Sequence, residues 1–228
     1  MKTRYITWIM SLMFSMGMIS CKDLVTVDSP KNQVGAGIVF ENDETANAAV
    51  LSICINMVTG SNGYQMALTT GLYADELKNY SVVVGLTQLY GNALLAGSST
   101  NTNDIWIKAY NLIYQANAVI EGCERSGKLS SDTKKQLLAE ALVIRAFWHF
   151  YLQNLYGHIP LVLTTDYLIT SKLYQSDETE VYQQIIQDLT RAAGDLNDQY
   201  TGANGVAVSG ERLRPNKSVA NALLAIYV

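Results

Sequence analysis

Asp104-Ile105-Trp106-Ile107-Lys108-Ala109-Tyr110 opens a stretch that runs to Tyr156-Gly157-His158-Ile159-Pro160, and its pattern decides the fold. Two long amphipathic helices are predicted in succession. The first is capped at Asp104, puts Trp106, Tyr110, Ile113, Asn117 and Ile120 on one stripe, and continues to Glu121. The second is capped at Ser130 or Ser131. Leu137, Ala141, Ile144, Trp148, Leu152 and Leu155 line one side of it, while Leu138, Leu142, Phe147, Phe150 and Tyr151 carry that surface round the cylinder. A helix apolar on most faces lies in the middle of a larger α structure. Gly157 stops it and Pro160 prevents its resumption. Packed helix pairs make a scaffold better suited to docking than to chemistry, which points to a binding protein.

Outward from this pair, the same spacing predicts further helices. One starts near Asp43, capped by Asn42 or Asp43, with Ala46, Ala49, Val50, Ile53 and Met57 on its apolar face and a stop at Gly60. A second runs from Tyr64 to Leu77. From Lys78 to Asn103 the pattern fails, with glycines at 85, 91 and 97 and a polar run before Asp104. Loops beyond about 12–15 residues in a compact domain are functional or disordered. This excursion retains Tyr80, Leu86, Leu89, Tyr90 and Leu94, so it is expected to be ordered and to contact ligand. Leu161 to Gln175 reads as another loop. Asp177 and Glu180 form a capping-box pattern ahead of a helix bearing Val181, Ile185, Leu189, Ala192 and Leu196. A last helix follows Arg212-Leu213-Arg214-Pro215-Asn216 with Val219, Ala222, Leu223 and Ile226. The pattern is still running at Val228, so the chain is expected to be the N-terminal part of a longer protein.

The N-terminus carries a different signal. Lys2 and Arg4 precede an apolar run from Ile6 to Ile19. Fourteen helical residues at about 1.5 Å each span roughly 21 Å, short of a ~30 Å hydrocarbon core, so the run suits a signal peptide over residues 1–20 better than a permanent span. Met18-Ile19-Ser20-Cys21 resembles a bacterial lipobox, with Cys21 as the lipidated first residue of the mature chain. Residues 21–41, containing Pro30, Gly35 and Gly37, read as an extended tether. Residues 42–228 form the helical domain.

Composition excludes several functions. The formal net charge is −4, and lysines and arginines are scattered without a basic stripe, which argues against nucleic acid as partner. Of three cysteines, Cys54 and Cys123 remain after lipidation; they could pair in an oxidising compartment, but both lie in helical patterns, which favours separate buried thiols. No CxxC or His/Cys cluster is present, so no metal or cofactor is expected. His149 and His158 have no evident nucleophile or acid partner. Asp75 and Glu76 are adjacent on a helix, about 100° apart, and cannot flank one glycosidic bond. No catalytic set is therefore assigned. Arg145, mid-helix among apolar residues, requires a carboxylate partner, for which Glu121 and Glu140 are the candidates. Trp106, Tyr110 and Trp148 read as core. The ligand-contact candidates are Asp75 with Asn79, Tyr80, Tyr90, Asn101 and Asn103, whose carboxylate, amide and phenol groups suit sugar hydroxyls and whose aromatic faces suit pyranose C–H groups.

Trp106-x3-Tyr110, Asn117 before Val119-Ile120, Glu140-Ala141-x3-Arg145-Ala146, Tyr156-Gly157-x2-Pro160 and Arg214-Pro215-x-Lys217 before Ala220 resemble the SusD/RagB family in order and spacing. So do the lipobox cysteine, Val39-Phe40 and Ala74-Asp75-Glu76-Leu77. Cys54 departs from the family, which commonly has tyrosine in that segment. The resemblance implies an all-α fold of tetratricopeptide-like helix pairs in a superhelical scaffold with long irregular loops. It implies a non-enzymatic lipoprotein on the outside of the outer membrane of a Bacteroidetes-type bacterium. Such a protein would capture a glycan or other nutrient and deliver it to a SusC-like TonB-dependent transporter. An all-α surface glycosidase or lyase, and a protein–protein adaptor without ligand, are the alternatives.

Overall fold

A computed structural model describes residues 36–59, 62–95, 101–203, 205 and 210–226. The expected signal peptide over residues 1–20, Cys21 and the expected tether as far as residue 35 lie outside the described residues. Among those described, nine helices and a single bridge residue at Thr201 are the regular structure, as the all-α expectation requires. Helices α1 (Ala36–Val39), α2 (Asp43–Thr59), α3 (Asn62–Tyr73) and α4 (Val84–Tyr90) precede the predicted pair, α5 (Asn101–Arg125) and α6 (Ser131–Tyr156). Then follow α7 (Tyr167–Thr170), α8 (Glu178–Asp195) and α9 (Lys217–Leu224).

Helix α6 is central. It packs extensively on both α5 and α8 and also meets α2, while α9 packs on α8 and α3 on α5. Five residues, 126–130, join α5 to α6, and so short a connection makes the two antiparallel neighbours. Leu137, Leu142 and Leu152 are fully buried on α6, each contributing about 1.5–3 kcal/mol through removal of apolar surface from water. Trp148, 3 % exposed, belongs to the same core, and Trp106 and Tyr110 pack against it. Ser130 caps α6 through its hydroxyl, which accepts from the Thr133 amide. Gly157 ends the helix at φ 72°, a left-handed conformation in which a side chain would be strained. Asp177 caps α8 by accepting from Thr179, and Asn216 caps α9 by accepting from Val219. Cys54 and Cys123 are free and buried, as expected; burial lifts their thiols to about 11 and about 12.

Several boundaries differ from the sequence reading. The tether is expected to run to residue 41, but α1 forms at Ala36–Val39 and the next residue, Phe40, is packed against the core. Its ring lies over Gly122 of α5, where a Cβ would stand 2.2 Å from the ring, and the Ser126 hydroxyl donates to the Phe40 carbonyl at 2.6 Å. Helix α3 stops at Tyr73 instead of Leu77. Asp75 takes φ 60°, and the Glu76 and Leu77 amides donate back to the Gly71 carbonyl at 2.9 and 3.0 Å, which closes the helix end. The Lys78–Asn103 excursion contains α4, whose Leu89 is fully buried, and α5 begins three residues before Asp104. The 161–175 loop contains the single turn α7. Gly60, the expected stop of α2, lies outside the described residues.

Candidate functional site

Polar groups concentrate in three places: the buried network along α6, the exposed corner between α3 and α4, and a cleft between α2, α6 and α8. In the network, Arg145 donates from Nε and Nη2 to both oxygens of Asp188 on α8, at 2.8 and 2.7 Å, and from Nη1 to the Asn117 carbonyl at 2.9 Å. The partner is therefore Asp188, not Glu121 or Glu140. Glu140 instead receives Arg214 Nε at 2.8 Å and Gln136 Nε2 at 2.6 Å, wholly buried. Burial pushes the Glu140 carboxyl upward, and Arg214 with Gln136 pulls it back. Arg214 Nη1 also bonds Asn47 Oδ1, which links α2 to this pair. Glu121, half-buried, accepts from the Thr164 hydroxyl and from the amide and hydroxyl of Thr165 at 2.6–2.8 Å. Partial burial opposes ionisation of Glu121, but those bonds prevail and hold it below its usual range.

The network pins the segment after α6. Tyr110 donates to the Pro160 carbonyl at 2.8 Å and Asn117 to the Val162 carbonyl at 3.0 Å, so Asn117 is the satisfied buried amide its position predicts. His149 is held between the Arg145 carbonyl, 3.1 Å from Nδ1, and the Val162 amide, which donates to Nε2 at 3.4 Å. Desolvation, with the nearby Arg145 charge, drives the imidazole down to about 3 and keeps it neutral. Both ring nitrogens are engaged by backbone, so His149 positions a loop and is not free for proton transfer.

At the α3–α4 corner, Asn79 accepts from the Ser81 amide at 2.9 Å and donates to the Ser81 carbonyl at 3.1 Å and the Thr87 hydroxyl at 3.5 Å. This Asx-type turn ties residues 79–81 to α4. It presents Tyr80, 84 % exposed, with the Lys78 ammonium 5.4 Å from its ring centroid. Asp75 sits exposed on the left-handed turn that ends α3, and Tyr90, partly exposed, on the last turn of α4. Asp75, Asn79, Tyr80 and Tyr90 are thus carried by one α3–α4 unit. Asn101 and Asn103 are placed in the first turn of α5, and their side chains lie outside the described residues.

Sequence reasoning missed a cleft of about 600 Å³ bounded by the first turns of α2 and α6 and the last turn of α8. Asp43 on its edge accepts from the amide and hydroxyl of Ser130 and the hydroxyl of Thr133, and these bonds, led by the Ser130 hydroxyl, hold it below the usual carboxylate range. The signal that could have found it is Asp195, a carboxylate at the C-terminal end of α8 with no basic residue in that turn.

Residues 40–228 match a family described as starch-binding associating with outer membrane. A SusD-like protein of Formosa agariphila is 23 % identical over 211 residues, which is 88 % of this chain and 39 % of that protein. The crystal structure of a SusD homologue from Bacteroides thetaiotaomicron superposes with a TM-score of 0.70 at 23 % identity, over 86 % of this chain and 37 % of that one. A laminarin-binding SusD-like protein superposes with a TM-score of 0.64 at 19 % identity, over 81 % of this chain and 38 % of that one. The chain thus spans roughly two fifths of the length of these proteins, and the likeness to the solved structures carries the tetratricopeptide-like all-α fold.

Proposed function

The chain belongs to the SusD/RagB family, and from that premise we propose that it is the helical scaffold of a non-enzymatic, nutrient-capturing lipoprotein on the cell surface. Residues 1–20 direct export, Cys21 carries the lipid, the following residues form a short tether, and residues 42–228 are the N-terminal part of the ligand-capturing domain. The captured nutrient is a glycan, passed to a SusC-like TonB-dependent transporter in the outer membrane.

The observation that carries this reading is the contrast between interior and corner. Deep charges are consumed in the pairs Arg145–Asp188 and Glu140–Arg214, and His149 is locked neutral, so the buried groups serve rigidity. At the α3–α4 corner, an exposed tyrosine face stands on a fixed turn of the unit that also carries Asp75 and Tyr90, and such a face suits stacking on a pyranose. Asn101 and Asn103 begin the next helix and complete the proposed contact set. A laminarin-binding protein of the same fold supports a glycan as the ligand class.

The test is calorimetric titration of the chain with laminarin-derived and starch-derived oligosaccharides, with product analysis by chromatography. Binding without cleavage is expected. Cleavage would make the protein a surface glycosidase or lyase, and transporter binding with no affinity for any saccharide would make it an adaptor.

A further inference from the structure

The cleft between α2, α6 and α8 breaks a local rule. Asp43 and Glu44 in the first turn of α2, and Asp132 in the first turn of α6, sit where the helix dipole favours carboxylates. Asp195 does not. It is the last residue of α8, at the negative end of that dipole, and it faces the same cleft. Among the described residues no side-chain hydrogen bond or ion pair engages the carboxylates of Glu44, Asp132 or Asp195, and Lys135 is the only lysine on the lining.

The lining adds an independent observation. Thr201, only 2 % exposed, has a hydroxyl with no partner among the described residues, and Arg214 Nη2 is a second buried donor without an acceptor. Both residues line the cleft. Its surroundings therefore combine uncompensated negative charge with unmet hydrogen-bond donors. A simple cation would answer the first and not the second, and no cluster able to hold a metal ion occurs among the described residues. Among the described residues no aromatic face lines the cleft, so the described lining does not suit a stacked sugar. A polypeptide bearing lysine or arginine supplies both complements: a cationic side chain, and main-chain carbonyl oxygens.

We propose that this cleft docks a basic segment of another protein, with a lysine or arginine side chain held among Asp195, Glu44 and Asp132 and main-chain carbonyls turned toward the Thr201 floor. The inference is independent of the glycan reading, which concerns the α3–α4 corner. The test uses the full chain and acetylated hexalysine amide as probe, followed by calorimetry, with hexaglutamate and calcium chloride alone as further titrants. Hexalysine is expected to bind and hexaglutamate not to, with affinity falling as salt is raised from roughly 0.05 to 0.5 M. Asp195→Asn should weaken hexalysine about three- to tenfold while leaving Tm unchanged or raised, because it removes an unpaired charge. Glu180→Gln, at the far end of α8, should leave binding unaltered. Absence of hexalysine binding, equal weakening by Glu180→Gln, a lowered Tm in Asp195→Asn, or calcium binding lost in Asp195→Asn would each overturn the proposal.

Discussion

Arg145 and Asp188 meet fork to fork across the α6–α8 contact, with both carboxylate oxygens held at 2.7 and 2.8 Å and both side chains buried. The geometry is bidentate, and Asn117 and Gln184 occupy remaining donor and acceptor sites. Removing either partner strands a charge in the core. Arg145→Met should destabilise the chain by about 3–5 kcal/mol, and Asp188→Leu by a similar amount. The double variant should recover much of that loss in urea titrations. Additive losses in the double-mutant cycle would show that the two side chains do not act as a pair.

Phe40 over Gly122 fixes how the chain enters the domain. Gly122→Ala puts a methyl group into the ring, 2.2 Å from its edge atoms, and should cost about 1–3 kcal/mol through overpacking. Adding Phe40→Ala should relieve that clash, so the cost of Gly122→Ala should shrink in the Phe40→Ala background. Thermal unfolding of the four chains measures this directly.

His149 makes stability depend on pH. Its folded value of about 3 lies well below the ordinary 6.5. Between those values the unfolded chain binds a proton that the folded chain does not, so stability falls as pH falls. The contribution reaches about 1.4 kcal/mol per pH unit once the unfolded imidazole is protonated. Asp43 and Glu121, both depressed, add losses of the same sign as pH falls through and below their ordinary 3.8 and 4.5, whereas Glu140, raised, acts oppositely above 4.5. The difference in slope between the native chain and His149→Gln, measured from pH 6.5 to 4.5, isolates the histidine.

Tyr80→Ala should weaken glycan binding while moving stability by no more than about 0.5 kcal/mol, because its ring is largely in solvent. Calorimetry and thermal unfolding read the two effects separately. A collapse in stability would make Tyr80 a packing residue.

Cys21→Ala should release the chain from the outer-membrane fraction into the soluble fraction when expressed with its own leader. Fractionation and immunoblotting decide it, and a variant still retained in the membrane would refute lipid anchoring.

The α5–α6 pair was readable because its apolar spacing persists for more than twenty residues, and Gly157 and Pro160 punctuate it clearly. Helix α4 was not, since seven residues give barely two turns and Val83 supplies no side-chain cap. The end of α3 was misplaced because Asp75 adopts a left-handed conformation usually signalled by glycine. The need for a partner to Arg145 was legible from burial alone. Its identity was not, because Asp188 is 43 residues away and only the α6–α8 contact brings the two together. One clue lay in Asp188 itself, an acid beside Leu189 and three residues from Ile185 on an otherwise apolar stripe. At the α3–α4 corner, Asp75, Asn79, Tyr80 and Tyr90 are candidates named from residue type, while the turn that fixes Tyr80 emerges only from the Asn79 bonds.

Residues 159–165 have no regular secondary structure, yet they are clamped at four levels: Ile159 by Ser176, Pro160 by Tyr110, Val162 by Asn117 and His149, and Thr164 with Thr165 by Glu121. Such a run should resist proteases and amide exchange as firmly as the neighbouring helices. Inserting or deleting a single residue there would shift every carbonyl and amide out of register with its anchor, whereas the exposed 167–174 turn could absorb the same change.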